Sequence, residues 1–179
     1  MSYRDIGWVR RYEGGASHQM AQYDSGSMEQ YKPMIQRVGN SNGVDPALIA
    51  GIISRESSAG VTLQNGWGDH GKAWGLMQVD VHPQGGNHTR RGDWNSEEHL
   101  NQATGILVDS MKSIQQKFPT WDRELQLRGG LVAYNKGPDK VTSEIKDDVD
   151  APSTHGNYSK DVVARAQWYK RNVYKGIKK

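Results

Sequence analysis

The feature that most restricts the fold of this chain is a glycine-dense segment between stretches of helical periodicity. Residues 61–80 contain four glycines, at positions 66, 68, 71 and 75. Helices rarely tolerate glycine at this density, because each glycine adds backbone freedom that a helix must suppress. The segment is therefore predicted to form short strands and tight turns, followed by a long loop over residues 81–95.

Patterns typical of helices dominate the remainder of the chain. Five stretches are predicted to be helical, near residues 28–38, 46–56, 97–118, 123–135 and 158–173. The first four are preceded by side chains that can cap a helix N-terminus, namely Ser27, Asp45, Ser96 and Asp122. Pro33 is expected to bend or restart the first helix, whereas Pro46 suits a first helical position. The whole pattern predicts an α+β fold that is predominantly α-helical, with a small β element in the middle.

Length and composition limit the domain organisation. A chain of 179 residues with 35% apolar residues is long enough to bury the core of one domain. We therefore expect a single domain over residues 1–179, in which residues 1–20 are a candidate for a loosely ordered N-terminal segment. The absence of cysteine excludes disulfides and cysteine-based zinc sites. No apolar run is long enough to predict a transmembrane helix, and no signal peptide is visible at the N-terminus.

Glu56 ends an apolar helical stripe in the stretch LIAGIISRESSAG, at residues 48–60. Ile49 and Ile52 precede it at helical spacing, so the three side chains are predicted to share one helix face. The negative end of the helix dipole and the apolar neighbours both disfavour a charged carboxylate, which raises its pKa. A carboxyl group that stays protonated near neutral pH can act as a general acid. The structural alternative is a buried ion pair between Glu56 and an arginine or lysine.

Two aspartates follow Glu56 in the glycine-dense segment and suit a glycosidase. Asp69 lies in NGWGDHG, and Asp80 ends GLMQVD. Glycosidases use a pair of carboxyl groups that flank the scissile bond. The alternatives are an Asx-turn for Asp69 and a loop cap for Asp80. Aromatic side chains near these residues could stack on sugar rings, although core packing is the default role of each: Trp67, Trp74, Trp94 and Tyr134.

Four stretches of the sequence resemble goose-type lysozymes: GIISRESSAG, NGWGDHGKAWGLMQVD, AYNKG and DVVARAQWYK. The resemblance covers the chain from residue 20 to residue 174, and the lack of cysteine is similar to the fish members of the family. The combination of ES, GLMQ and AYNxG is shared with lytic transglycosylases, whereas NGWGD and DVVARAQ are narrower features of the goose type. The resemblance implies a lysozyme-like fold with a small antiparallel β-sheet beside the active-site cleft.

The resemblance also implies an activity and a set of site residues. The expected activity is that of an antibacterial muramidase, which hydrolyses the β-1,4 bond between N-acetylmuramic acid and N-acetylglucosamine with inversion. Glu56 matches the catalytic acid of the family, and Asp69 and Asp80 match the aspartates that place or activate water. Six further residues are implied to bind the sugar: Trp74, Gln78, His82, Tyr134, Asn135 and Tyr169. The amide of Asn135 offers both a donor and an acceptor to an N-acetyl group.

Two other functions stay open from the sequence. Transglycosylase-like cleavage would give 1,6-anhydro products, and a non-catalytic protein would only bind the cell wall. Asp69 and Asp80 favour hydrolysis, because a transglycosylase uses one glutamate and the sugar's own hydroxyl group. Analysis of the products of wall digestion separates the three functions.

The expected partner is bacterial peptidoglycan or an N-acetylglucosamine oligosaccharide. A net charge of +3 suits such an anionic partner but is modest for nucleic acid. We expect a monomer with no metal, no cofactor and no nucleic-acid or membrane partner. The family implies action outside the cell, whereas the composition also allows a cytoplasmic location or unconventional secretion.

Overall fold

The computed structural model describes residues 3–174, so residues 1, 2 and 175–179 of the expected domain lie outside the described part of the chain. The described part contains six α-helices: α1 (Gly15–Met28), α2 (Lys32–Asn42), α3 (Pro46–Ser57), α4 (Glu97–Lys117), α5 (Arg123–Lys136) and α6 (Tyr158–Asn172). A three-stranded antiparallel sheet lies between α3 and α4 in the chain: β1 (Trp67–Gly68), β2 (Ala73–Trp74) and β3 (Val79–Asp80). The predicted α+β fold, mainly helical with a small antiparallel sheet, is confirmed.

Helix α3 lies at the centre of the core. Its N-terminus is capped as predicted, since the side chain of Asp45 accepts a hydrogen bond of 2.9 Å from the N–H of Ala47. Every residue of the range 46–54 is buried, and α1, α2 and α6 pack around this helix. Gly51 permits the close approach of α6, because a Cβ atom there would lie 2.8 Å from the carbonyl oxygen of Val162. The C-terminal turn of α3 therefore extends from the buried core of the protein.

The first helix begins much earlier than the sequence predicts. Ser27 lies near the end of α1 and does not start a helix, and a 3-10 turn at Glu29–Tyr31 separates α1 from α2. Pro33 lies in the first turn of α2, so the prediction that it restarts the helix is correct. Apolar periodicity cannot predict α1, because most of its side chains are polar and its buried residues are few: Ala21, Asp24 and Met28.

The described N-terminal residues pack against the core. Four of their side chains are buried: Tyr3, Ile6, Val9 and Tyr12. Tyr3 forms a β-bridge with Val44, and the carboxylate of Asp45 accepts a hydrogen bond of 3.0 Å from the N–H of Ile6. The expectation of a loosely ordered segment is therefore wrong for these residues. Their contacts join positions about forty residues apart, which local periodicity does not reveal.

Helices α4, α5 and α6 complete the helical part of the fold. Ser96 and Asp122 cap α4 and α5 through their side chains, as predicted. Helix α4 packs against α5, and α6 packs against α3. The end of α3, the sheet, the end of α5 and the start of α6 meet in one region. None of the helices in residues 3–174 has the length and apolar character that crossing a membrane requires.

Candidate active site

Glu56 lies in the last turn of α3, partly buried, and contacts the start of α6. The hydroxyl of Tyr158 donates a hydrogen bond of 2.8 Å to its Oε2. Burial raises the pKa of Glu56 to about 7, and the charge of Asp69 adds to this rise. The Tyr158 hydrogen bond and the charge of Arg55 oppose it. The net shift has the direction that the apolar stripe predicts, and it lets Glu56 keep its proton near neutral pH.

Arg55 does not form the buried ion pair that would give Glu56 a purely structural role. Its Nη1 lies 2.7 Å from Oδ2 of Asp161, and its Nη2 donates a hydrogen bond of 2.9 Å to the carbonyl oxygen of Thr154. Its guanidinium carbon lies 5.1 Å from the centre of the Tyr158 ring. No arginine or lysine of residues 3–174 forms an ion pair with Glu56. The carboxyl group therefore retains a proton that it can donate.

Asp69 lies on the wall of a cleft beside the sheet. The cleft has a volume of about 580 Å³, and residues between Thr62 and Gly71 form its lining. Asp69 is exposed and adopts φ = 50°, a left-handed conformation that aspartate tolerates better than most residues. Glu56 is not part of this lining, but the charge of Asp69 contributes to its raised pKa. The charge of Asp69 therefore acts on Glu56 from the cleft wall.

The carboxylate of Asp80 accepts hydrogen bonds from the loop that follows the sheet. Its Oδ1 accepts a hydrogen bond of 2.9 Å from the N–H of His82, and its Oδ2 accepts one of 2.8 Å from the N–H of Gly86. Its backbone carbonyl accepts a third from the N–H of His88, at 3.0 Å. This is the loop cap that the sequence offers as the alternative to catalysis. Asp80 organises residues 82–88 beside the site and has no carboxylate oxygen without a protein partner.

Gln78 and Tyr134 hold the turn between β2 and β3. The Tyr134 hydroxyl donates a hydrogen bond of 2.7 Å to the carbonyl oxygen of Met77, and Nε2 of Gln78 donates one of 3.0 Å to the carbonyl oxygen of Gly75. Burial raises the pKa of the Tyr134 hydroxyl well above its usual value, and the charge of Glu56 raises it further. The structure therefore brings both residues to the region of Glu56.

Asn135 lies at the edge of the same region, whereas His82 lies in the loop that follows β3. Oδ1 of Asn135 accepts hydrogen bonds of 3.0 Å from the N–H and 3.2 Å from the hydroxyl of Thr154. Nδ1 of His82 accepts a hydrogen bond of 3.2 Å from the N–H of Gln84. Both residues are partly exposed, so each keeps some surface for a ligand.

Two predicted sugar-binding residues are placed differently. Tyr169 is completely buried and donates a hydrogen bond of 2.8 Å to the carbonyl oxygen of Ala21. It is a core residue with no surface for a sugar, so the expectation is wrong for this side chain. Trp74 is also buried, and its indole N–H donates to the carbonyl oxygen of Gly92 at 3.2 Å. Its neighbour Trp67, rather than Trp74, lines the cleft.

Tyr158 is the site residue that sequence reasoning does not identify. It begins α6 and is predicted from its spacing as a core residue of an amphipathic helix, which it also is, since it is 1% exposed. Its hydroxyl reaches Glu56 across 102 residues of sequence. No local pattern signals that contact. As for metals, the described residues contain no cluster of three potential ligands.

The chain is similar to known proteins over most of its length. The family model described as "Lysozyme g" matches residues 10–173. A lysozyme g of Takifugu rubripes is 57% identical over 165 residues, which cover 90% of this chain and 86% of the relative. A lysozyme g of Epinephelus coioides is 57% identical over 161 residues, covering 87% and 82%. A lysozyme g of Struthio camelus is 52% identical over 159 residues, covering 89% and 75%. The chain therefore belongs to the lysozyme g family of glycoside hydrolases.

Proposed function

We propose that this chain is a peptidoglycan muramidase in which Glu56 is the general acid. Its substrate bond is the β-1,4 linkage between N-acetylmuramic acid and N-acetylglucosamine. The observation that supports the proposal most is the state of Glu56: burial raises its pKa to about 7, and no cation of the described residues neutralises it in an ion pair. A carboxyl group with this pKa donates a proton at neutral pH more readily than an exposed glutamate, which would be ionised.

In the proposed reaction, Glu56 protonates the oxygen of the glycosidic bond, and that oxygen leaves with the bonding electron pair. Water adds to the anomeric carbon from the opposite face and loses its proton to Asp69. Asp69 suits this role because it is exposed on the cleft wall and close enough for its charge to act on Glu56. Asp80 positions the loop of residues 82–88 through its two backbone hydrogen bonds. No covalent sugar–enzyme intermediate is formed.

Inversion is the expected stereochemical outcome of this arrangement. An inverting enzyme leaves room for a water molecule, with its two carboxyl groups roughly 6.5–9.5 Å apart, whereas a retaining enzyme holds them about 5 Å apart. Glu56 lies at a helix end, and Asp69 lies beyond a turn on the wall of an open cleft. The two carboxyl groups come from separate elements, and Glu56 is not among the residues that line the cleft beside Asp69, an arrangement that is compatible with an intervening water.

NMR of the first-formed products tests the proposal. An N-acetylglucosamine oligosaccharide or soluble wall fragment is digested, and the anomeric signals are followed before mutarotation. The α-anomer with a reducing end is expected. An initial β-anomer or a trapped adduct at Asp69 would contradict inversion, and 1,6-anhydro ends would identify a transglycosylase. A protein that binds the wall but releases no product would have only a binding function. Glu56→Gln is the matched control for contaminating activity.

A further inference from the structure

Arg90 lies over two tryptophans at the rim of the cleft. Its guanidinium carbon is 4.2 Å from the centre of the Trp74 ring and 5.3 Å from that of Trp67. The two indoles contact each other edge to face, with centroids 4.6 Å apart, and Trp67 is part of the cleft lining. A guanidinium group above aromatic rings is held by cation–π attraction while the edge of its plane can face solvent.

The backbone around Arg90 is fixed by a single side chain of α4. Nε2 of Gln102 donates a hydrogen bond of 2.8 Å to the carbonyl oxygen of Thr89, and its Oε1 accepts one of 3.0 Å from the N–H of Arg91. The side-chain amide of Gln102 therefore holds the backbone by hydrogen bonds on both sides of residue 90. This anchoring fixes the backbone from which Arg90 extends, and the two indoles restrict the side chain itself, so less entropy is lost when the guanidinium binds a ligand.

The guanidinium of Arg90 is available to a ligand. Arg90 is exposed, and no carboxylate of residues 3–174 forms an ion pair with it. Its planar edge offers N–H donors in the geometry that binds a carboxylate through two parallel hydrogen bonds. Asp69 also lines this cleft, so a cation at the rim offsets the repulsion that the cleft would exert on an anionic substrate.

We propose that Arg90 binds a carboxylate of the glycan strand and makes the enzyme prefer anionic over neutral glycans. The inference rests on the proposed function for its substrate class. Carboxylates occur in peptidoglycan on the stem peptide, and on the lactyl group wherever the peptide has been removed. A chitin oligosaccharide carries neither. Arg90 is thus a specificity-determining residue, separate from the groups that act on the glycosidic bond.

Steady-state kinetics on three substrates test the inference. They are soluble peptide-bearing glycan strands, the same strands after an amidase has removed the peptides, and the neutral N-acetylglucosamine hexamer. Arg90→Gln is expected to raise KM about fivefold or more on the peptide-bearing or the peptide-free strands, with kcat little changed. On the hexamer, both constants should stay within about twofold of wild type. An effect confined to peptide-bearing strands assigns the stem-peptide carboxylate, and one confined to peptide-free strands assigns the lactyl carboxylate.

Arg91→Gln is the matched control, because it removes the same charge from the adjacent exposed residue. It should leave KM unchanged on all three substrates. An equal rise of KM in the two variants would show that net charge alone attracts the strand, and an equal loss on the neutral hexamer would show that Arg90 only packs against the tryptophans. An unchanged KM on both anionic strands would also overturn the inference.

A binding measurement separates this inference from the proposed reaction. Calorimetry in a Glu56→Gln background, with peptide-bearing, peptide-free and neutral fragments, reports Kd without turnover. The added Arg90→Gln change should weaken binding of the peptide-bearing or peptide-free anionic fragments and leave binding of the neutral one unchanged. If wild type failed to hydrolyse any glycan, the proposed reaction would be wrong, whereas this difference in Kd would still support the carboxylate site. Equal Kd values with and without Arg90 would refute the site, whatever the catalytic result.

Discussion

Tyr158 donates its hydroxyl hydrogen to Oε2 of Glu56 at 2.8 Å, so the first residue of α6 stabilises the charged form of a carboxyl group at the end of α3. A hydrogen bond to the charged form lowers a carboxyl pKa. Here it partly offsets burial, which has the largest effect and raises the pKa of Glu56 to about 7. The contact therefore adjusts the pH range over which the proposed acid is protonated.

Tyr158→Phe should extend activity to higher pH. Without the hydroxyl, the pKa of Glu56 rises further, and the alkaline limb of the kcat profile, where the acid loses its proton, moves upward. One hydrogen bond of about 1 kcal/mol corresponds to a shift of roughly half a pH unit to one unit. Tyr169→Phe is the control, since that hydroxyl lies on the same helix but donates to Ala21. An unmoved alkaline limb in Tyr158→Phe would show that another group controls it.

Glu56→Gln should abolish turnover without loss of the fold. We expect the rate to fall at least about 100-fold, because an amide cannot serve as the general acid. Binding of an N-acetylglucosamine oligosaccharide, measured by calorimetry, should persist. Turnover within a few-fold of wild type would remove Glu56 from the mechanism.

The same substitution should change how stability depends on pH. The folded-state pKa of Glu56, about 7, lies above the value of 4.5 for a free carboxyl. Between these values the folded state binds more protons, so this group makes the protein less stable as pH rises. The melting temperature of Glu56→Gln, relative to wild type, should therefore increase between pH 5 and pH 8. A constant difference over that range would contradict the raised pKa.

Substitutions of the two aspartates should change different kinetic constants. Asp69→Asn should lower kcat about tenfold or more through loss of the base, and its alkaline limb should move to lower pH because one negative charge near Glu56 is gone. Asp80→Asn keeps one acceptor oxygen but turns the other into a donor facing a backbone N–H. The loop of residues 82–88 should loosen, which raises KM and lowers the melting temperature. A loss of kcat in Asp80→Asn, with KM and melting temperature unchanged, would assign the water-activating role to Asp80.

Most of the helical fold could be predicted because its signals are local. Asp45, Ser96 and Asp122 each cap the helix that the sequence assigns to them, since a cap acts on backbone N–H groups two or three residues away. Helix α1 could not be predicted in this way, because its stability comes from packing against α6 and α3 rather than from an apolar stripe.

The candidate site was predictable where a carboxyl group broke a pattern and unpredictable where a contact was long-range. Glu56 stands out because it ends an apolar stripe, but nothing near Tyr158 in the sequence points to its partner. Tyr169 shows the converse difficulty: it lies on nearly the same face of α6 as Tyr158, but about 16 Å farther along the helix axis, where it is buried and donates to Ala21. Arg90 owes its position to Trp67 and Trp74, more than fifteen residues earlier in the chain.

His99 should make the protein unstable in acid. It is completely buried in the first turn of α4, and its Nε2 accepts a hydrogen bond of 3.0 Å from the N–H of Met77. Burial lowers the pKa of His99 to about 4, from 6.5 for a free histidine. Protonation of His99 would also turn Nε2 into a donor that faces the N–H of Met77, so the hydrogen bond between them would be lost. The neutral form of the His99 imidazole therefore stabilises the turn that contains Gln78.

The sign of this effect follows from proton binding. Between pH 6.5 and pH 4 the unfolded state binds a proton at His99 that the folded state does not, so the contribution is complete above pH 6.5 and is lost as pH falls towards 4. Its size is on the order of 3 kcal/mol. Urea unfolding at several pH values should show that His99→Gln, which can still accept from Met77, lacks this part of the pH dependence. His155→Asn, at an exposed histidine, should keep it. Parallel pH dependences for His99→Gln and wild type would contradict the role of His99. The contribution of Glu56 to the pH dependence of stability has the opposite sign over an overlapping pH range. The comparison is therefore repeated in the Glu56→Gln background.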